Sequence, residues 1–88
     1  MTQLEEVEQT LAEVANDVHL AEFGMEFRVL RLRASAYIVS LVNTKTGTTV
    51  LDDGMTLDYL PETVCRNYAK CRAYELAGRF LRRQHPLA

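Results

Sequence analysis

The stretch FRVLRLRASAYIVSLVNTKTGTTVL, Phe27–Leu51, decides the fold of this 88-residue chain. Two of its segments, Phe27–Arg33 and Ala36–Val42, alternate or run apolar and are rich in Val, Ile and Leu. This composition is typical of β-strands. We therefore expect two neighbouring strands here, joined by a short turn near Ser35.

The residues that follow predict a hairpin and a third strand. Asn43–Gly47 is typical of a hairpin loop, in which Gly47 supplies the positive φ of a bulged turn. Thr48–Leu51 then predicts the returning strand. Asp52-Asp53-Gly54 is typical of turns, so we expect the third strand to end there.

A long amphipathic helix is predicted before the strands. Thr2 and Glu5 fit the capping box that begins many helices. From Leu4 to Ala21, apolar residues recur at spacings of three and four, which keeps one stripe on one face of a helix. Gly24 predicts the left-handed residue that ends it.

A second long helix is predicted after the strands, from about Asp58 to the stop at His85-Pro86. Its buried stripe comprises Cys65, Ala69, Ala73, Leu76, Ala77 and Phe80. The sequence therefore predicts a single α+β domain over residues 1–88 with the order αβββα. In this fold a three-stranded antiparallel meander has both helices packed on one face.

The composition limits the class of protein. It is 48% hydrophobic, which is ordinary for a globular chain, and no run reaches the ~18–20 apolar residues of a membrane span. The N-terminus is acidic and polar, unlike a secretory signal, so we expect a cytoplasmic protein. Cys65 and Cys71 would lie ~9 Å apart along a helix, too far for a disulfide, so both thiols should be reduced.

The charges are distributed unevenly along the chain. Residues 1–23 contain six carboxylates and no Lys or Arg, a net charge of −6, whereas residues 61–88 contain six cations and two carboxylates, a net charge of +4. We expect carboxylates of the first helix to face arginines of the last one across a helix–helix seam. The predicted rows are Glu6, Glu13 and Asp17 against Arg72, Arg79 and Arg83.

Signatures of catalysis or metal binding are weak in this sequence. The serines lie outside any Gly-x-Ser-x-Gly elbow, and neither His19 nor His85 has a predictable partner. The Cys and His spacings do not match those of metal sites, and the four glycines are isolated. We therefore predict no enzyme, no catalytic or metal-binding residues and no cofactor.

Two apolar surfaces are candidates for association. The last helix is apolar on the side opposite its buried stripe, and the middle strand is apolar on both sides, so an uncovered sheet face would expose one set. The predicted interface residues are Val64, Cys71, Tyr74 and Leu81 on the helix and Tyr37, Val39 and Leu41 on the strand. Ile38, Ser40 and Val42 form the other set of the strand.

These surfaces predict a small non-enzymatic regulatory, adaptor or inhibitor protein that binds another protein. A homodimer is one arrangement that they would support. A compact acidic chain of this length would suit a bacterial or phage accessory protein.

A second function is suggested by Arg66–Ala77, RNYAKCRAYELA. This segment resembles the K-K-x-A-K-x-x-A-A-x-x-A pattern that opens the second helix of the double-stranded-RNA-binding domain, a family with the same order of elements. The resemblance implies a nucleic-acid-binding module whose phosphate contacts come from Arg66, Lys70 and Arg72. The sequence departs from the family in having no Gly-Pro-x-His loop to enter a minor groove. The acidic first helix also opposes binding to phosphates.

Overall fold

A computed structural model describes residues 2–84 as a three-stranded sheet with two long helices. The elements are α1 (Gln3–Asp17), a short 3-10 helix (Leu20–Phe23), β1 (Met25–Arg33), β2 (Ala36–Asn43), β3 (Thr49–Thr56) and α2 (Glu62–Gln84). The strands are antiparallel in the order β1-β2-β3, and both helices contact the sheet. The predicted αβββα fold is confirmed.

The core lies between the helices and one face of the sheet. Val39 marks the centre of that face and pairs with Val29 on β1 and with Asp53 on β3. The same face carries Leu41, which is fully buried against the helices. The helices contribute the apolar stripes that their periodicity predicts: Val7, Leu11 and Val14 from α1, and Cys65, Ala69, Ala73, Leu76 and Phe80 from α2.

The third strand is longer than predicted. Asp52-Asp53-Gly54 continues β3 instead of ending it, because residues 51–56 find pairing partners along β2. Arg72 of α2 stabilises this segment by donating to the carboxylate of Asp53 and to the backbone carbonyl of Gly54. A tertiary contact therefore overrides the local turn preference of the sequence.

The first helix is shorter than predicted. It begins at the predicted capping box, in which Thr2 and Glu5 bond reciprocally, but ends at Asp17. His19 takes a left-handed conformation, and the chain then continues as the 3-10 helix, which Gly24 ends with a φ of 68°. Phe23 of this turn packs edge-on against Phe80 of α2, with 5.8 Å between ring centroids.

The loops set the lengths of the other elements. The hairpin over residues 43–48 forms as predicted, with Gly47 at a φ of 73°. Ser35 takes a positive φ in the tight turn between β1 and β2. α2 begins at Glu62, directly after Pro61, and not near Asp58 as predicted. The predicted stop at His85-Pro86 lies outside the described residues.

Candidate interaction surfaces

The two helices lie side by side and are joined by polar contacts. Arg66 of α2 donates to both carboxylate oxygens of Glu13, at 2.6 and 2.9 Å, and the hydroxyl of Tyr74 donates to Asp17 at 2.7 Å. From the first contact to the second, the residue numbers increase on both helices, so α1 and α2 run parallel. The hydrogen bond to the Asp17 carboxylate raises the pKa of Tyr74, because it favours the protonated phenol.

The predicted rows of charge do not face each other as expected. Arg66 and Arg72 lie six residues apart and hence ~120° apart around a helix, so both cannot point at α1. Arg66 faces α1, whereas Arg72 points to the other side of α2 and pairs with Asp53 and Glu75. Arg79 and Arg83 form no ion pair within residues 2–84. The prediction that Arg72 joins the seam is wrong.

The four interface residues predicted on α2 divide between two sides of the helix. Tyr74 contacts α1 through Asp17, and Leu81 packs partly against the core. Val64 and Cys71 face solvent. The second apolar side of α2 is therefore shared between its neighbour α1 and an outward surface.

Tyr68 completes the outward surface and was missed by the sequence reasoning. It is exposed and lies between Val64 and Cys71, at the i, i+4, i+7 spacing that places three residues on one helix face. That spacing was the available signal. We call Val64, Tyr68 and Cys71 the outer stripe.

A cationic segment follows the outer stripe toward the end of α2. It comprises Arg79, Arg82 and Arg83, all of them exposed. None of the three pairs with a carboxylate in the described part of the chain, although Arg28, Arg33, Arg66 and Arg72 all do. The next position of the outer stripe is Glu75, which pairs with Arg72, and Arg82 continues the stripe beyond it, with Arg79 and Arg83 to one side.

The strand residues predicted to form an interface lie in the core instead. Tyr37, Val39 and Leu41 are 2%, 4% and 0% exposed. The hydroxyl of Tyr37 donates to the side chain of Gln3 on α1 at 2.6 Å, and burial raises the pKa of Tyr37. Proposing this set as a surface was wrong, because the helices cover its face of the sheet. The helices leave the opposite face uncovered around Ile38, which is half-buried, whereas Val42 at the end of the same strand is 3% exposed.

The uncovered face of the sheet is apolar at its centre and along β1. Leu30 and Leu32 of β1 are 60% and 58% exposed, and Leu30 pairs with Ile38 of β2. The next residue in this cross-strand row is Gly54 of β3, which pairs with Ile38 from the other side. One row further along the strands stand Arg28, Ser40 and Asp52.

A groove of about 550 Å³ runs between α1 and the free edge of β1. Its walls include Leu11, Ala12 and Ala15 of α1 and Phe27 and Val29 of β1. The charged groups at its rim are Glu8 and the pair Glu26–Arg28, which is closed at 2.8 Å. The groove offers apolar contact, but Arg28 already has a carboxylate partner there.

Titratable side chains do not gather into a reactive cluster among the described residues. No group of three or more His, Cys, Asp or Glu within residues 2–84 is placed to hold a metal ion. The predicted reduced thiols are separated, with Cys65 buried beside the carbonyl of Pro61 and Cys71 exposed. None of the helices in this part of the chain is long and apolar enough to cross a membrane.

The cations suggested by the resemblance to the RNA-binding domain are mostly engaged. Arg66 binds Glu13, and Arg72 binds Asp53 and Glu75. Lys70 forms no ion pair within the described range. A phosphate backbone would therefore have to compete with carboxylates of the same chain for two of its three predicted contacts.

Comparisons with known proteins do not assign this fold and its surfaces to a family. Neither a family model, nor a curated protein, nor a solved structure matches the chain. The surfaces themselves are therefore the basis for any statement of function.

Proposed function

We propose that this protein is a small non-enzymatic adaptor, regulator or inhibitor that binds an acidic surface of another protein through the outward side of α2. The observation that carries the proposal is the outer stripe followed by Arg79, Arg82 and Arg83. An amphipathic helix face of this kind matches helix-in-groove recognition, in which apolar anchors sit at i, i+4 and i+7. Tyr and Arg are also the residue types that dominate binding energy at interfaces.

The charge of the outward side supports an acidic partner. Within residues 2–84 the Arg–carboxylate pairs occur elsewhere, so the three arginines at the end of α2 keep their charge for association. Such charges speed and orient encounter with a negative surface and lose effect as salt screens them. Binding through this side should therefore weaken as the salt concentration rises.

Affinity capture from a native lysate with matched baits tests the proposal. The test bait is the double variant Val64→Ser/Tyr68→Ser, and the control is Val50→Ser, which removes a comparably exposed valine from β3. We expect a protein that the wild type and the control retain, that the double variant loses, and that elutes with salt. Identical sets of proteins from all three baits would contradict the proposal.

The same experiment separates the proposal from nucleic-acid binding. The terminal arginines and exposed Tyr68 are also residue types that bind nucleic acids, through phosphate contacts and base stacking. Treating the lysate with nuclease before capture distinguishes the two. Loss of every captured protein after nuclease treatment would favour the nucleic-acid function, whereas retention supports direct protein binding.

A further inference from the structure

We infer that the uncovered face of the sheet binds a second copy of this chain, with the twofold axis lying along β2 between the two sheets. This surface is separate from the outward side of α2, so the inference does not depend on the proposed function. Sheets that pack face to face keep their strands roughly aligned, as this axis requires. The two copies would form a sandwich with the helices on its outside.

The shape of the uncovered face fits this axis. Its β1 side carries bulky leucines, Leu30 and Leu32, whereas its β3 side carries Gly54 and Thr56. A rotation of 180° about this axis places β1 of one copy over β3 of the other. It leaves each cross-strand row at the same position along the strand direction. Leu30 therefore lies over the partner's Gly54. On both sides of the axis, the bulky leucines of one β1 face the small side chains of the other copy's β3.

Gly54 has no evident role within a single copy. Its backbone is extended, without the positive φ that favours glycine, and a Cβ built on it would meet nothing within 4 Å. Glycine inside a strand weakens the strand and often marks the close approach of another group. In the proposed dimer that group is Leu30 of the second copy.

The charges of the face are also self-complementary. Arg28 and Asp52 stand at opposite ends of one row, with Ser40 between them. Two strand spacings, ~9.6 Å, separate their backbones within a copy, but the axis brings Arg28 over the partner's Asp52. Each dimer contains this pair twice. Arg28 has enough N–H donors to keep its bond to Glu26 as well.

Sheet twist leaves this register intact. Aligned sheets cross at ~30°, which displaces residues on the outer strands by ~2.4 Å, well under the ~6.8 Å between successive residues on one face. The face covers roughly 14 × 26 Å, so a dimer would bury roughly 800–1,200 Å² in total. That area lies at the low end for specific interfaces, so we expect a dissociation constant in the micromolar range or weaker.

Ile38 lies on the axis at the centre of the proposed interface. It is the single isoleucine of the chain and would contact the same residue of the other copy. Leu30 flanks it on β1. The apolar centre and the Arg28–Asp52 pairs at its side reproduce the apolar core and polar rim of protein interfaces.

Charge reversal at the two ends of the row tests the inference by sedimentation equilibrium. Wild type should form dimers between about 10 µM and about 1 mM, because interfaces at the low end of the size range belong to weak complexes. Arg28→Asp and Asp52→Arg each place like charges in both pairs, so each should raise the dissociation constant at least about tenfold. Lys45→Asp, at the hairpin tip, changes the net charge by the same amount as Arg28→Asp and should dimerise like wild type.

Mixing the two reversed chains gives the decisive result. In the heterodimer the aspartate introduced into one chain meets the arginine introduced into the other, and the second pair keeps its natural Arg28 and Asp52. An equimolar mixture should therefore dimerise at concentrations where each variant alone is mostly monomeric, and this recovery also shows that both variants are folded. A wild type that stays monomeric over the whole range, or a mixture that stays monomeric, would overturn the inference. Either result leaves the proposal for α2 untouched.

Discussion

Replacing Gly54 by threonine should stabilise a single copy of the chain. Glycine in a strand costs about 0.5–1 kcal/mol relative to alanine, and threonine favours strands further. The new side chain would enter open space, because no atom lies within 4 Å of the Cβ position. We therefore expect the free energy of unfolding of the monomer to rise by about 0.5–1 kcal/mol. At about 4–8 °C per kcal/mol for a domain of this size, the melting temperature should rise by about 2–8 °C.

Gly47→Thr is the matched control, because its Cβ would also meet nothing within 4 Å. Gly47 has a φ of 73°, however, and a side chain in that region costs about 1–2 kcal/mol. The same substitution should thus stabilise at position 54 and destabilise at position 47. Urea unfolding followed by circular dichroism at low micromolar concentration measures both. A loss of stability in Gly54→Thr at this dilution would refute the reasoning.

The effect at position 54 should depend on protein concentration. Association stabilises the folded state by mass action, and threonine would occupy the space that Leu30 of a second copy needs. Wild type should therefore gain stability as its concentration rises, whereas Gly54→Thr should not. The advantage of the variant should be largest in dilute solution and shrink near millimolar concentration.

Three further predictions concern the core, the start of α1 and the helix seam. Leu41→Ala empties part of the fully buried centre and should cost about 2–5 kcal/mol, measured by urea unfolding. Thr2→Ala removes the acceptor for the backbone N–H of Glu5 and should cost about 1 kcal/mol in the same assay. The raised pKa of Tyr74 means that its bond to Asp17 contributes fully below pH ~10 and is lost as the pH rises through the folded-state pKa. The stability gap between wild type and Tyr74→Phe should thus be present at neutral pH and vanish in strong alkali; a gap independent of pH would contradict this.

The fold could be predicted from the sequence because the spacing of apolar residues changes clearly between helices and strands. The capping box at Thr2, the apolar stripes of both helices and the hairpin at Gly47 depend on local chemistry, and all three are present. The extension of β3 through Asp53 was missed because its cause is not local. Arg72 reaches that strand from a helix nineteen residues away in the sequence.

The choice of the covered sheet face could not be predicted for a related reason. Tyr37 and Ile38 begin two sets on β2 that are both largely apolar, so the strand pattern alone does not select one. The structure selects the Tyr37 set, which packs under the helices and bonds to Gln3. Two apolar faces on one central strand were nevertheless the sequence signal that one of them would remain exposed.

The single isoleucine permits the most direct test of the uncovered face as an association surface. One chain is labelled with carbon-13 at the Ile38 methyl groups, mixed with unlabelled chain at high concentration, and examined for isotope-filtered nuclear Overhauser effects. Signals from the Ile38 methyls to Ile38 and Leu30 protons of the unlabelled copy are predicted. Intermolecular signals from another surface, or none in a sample that sediments as a dimer, would contradict the account.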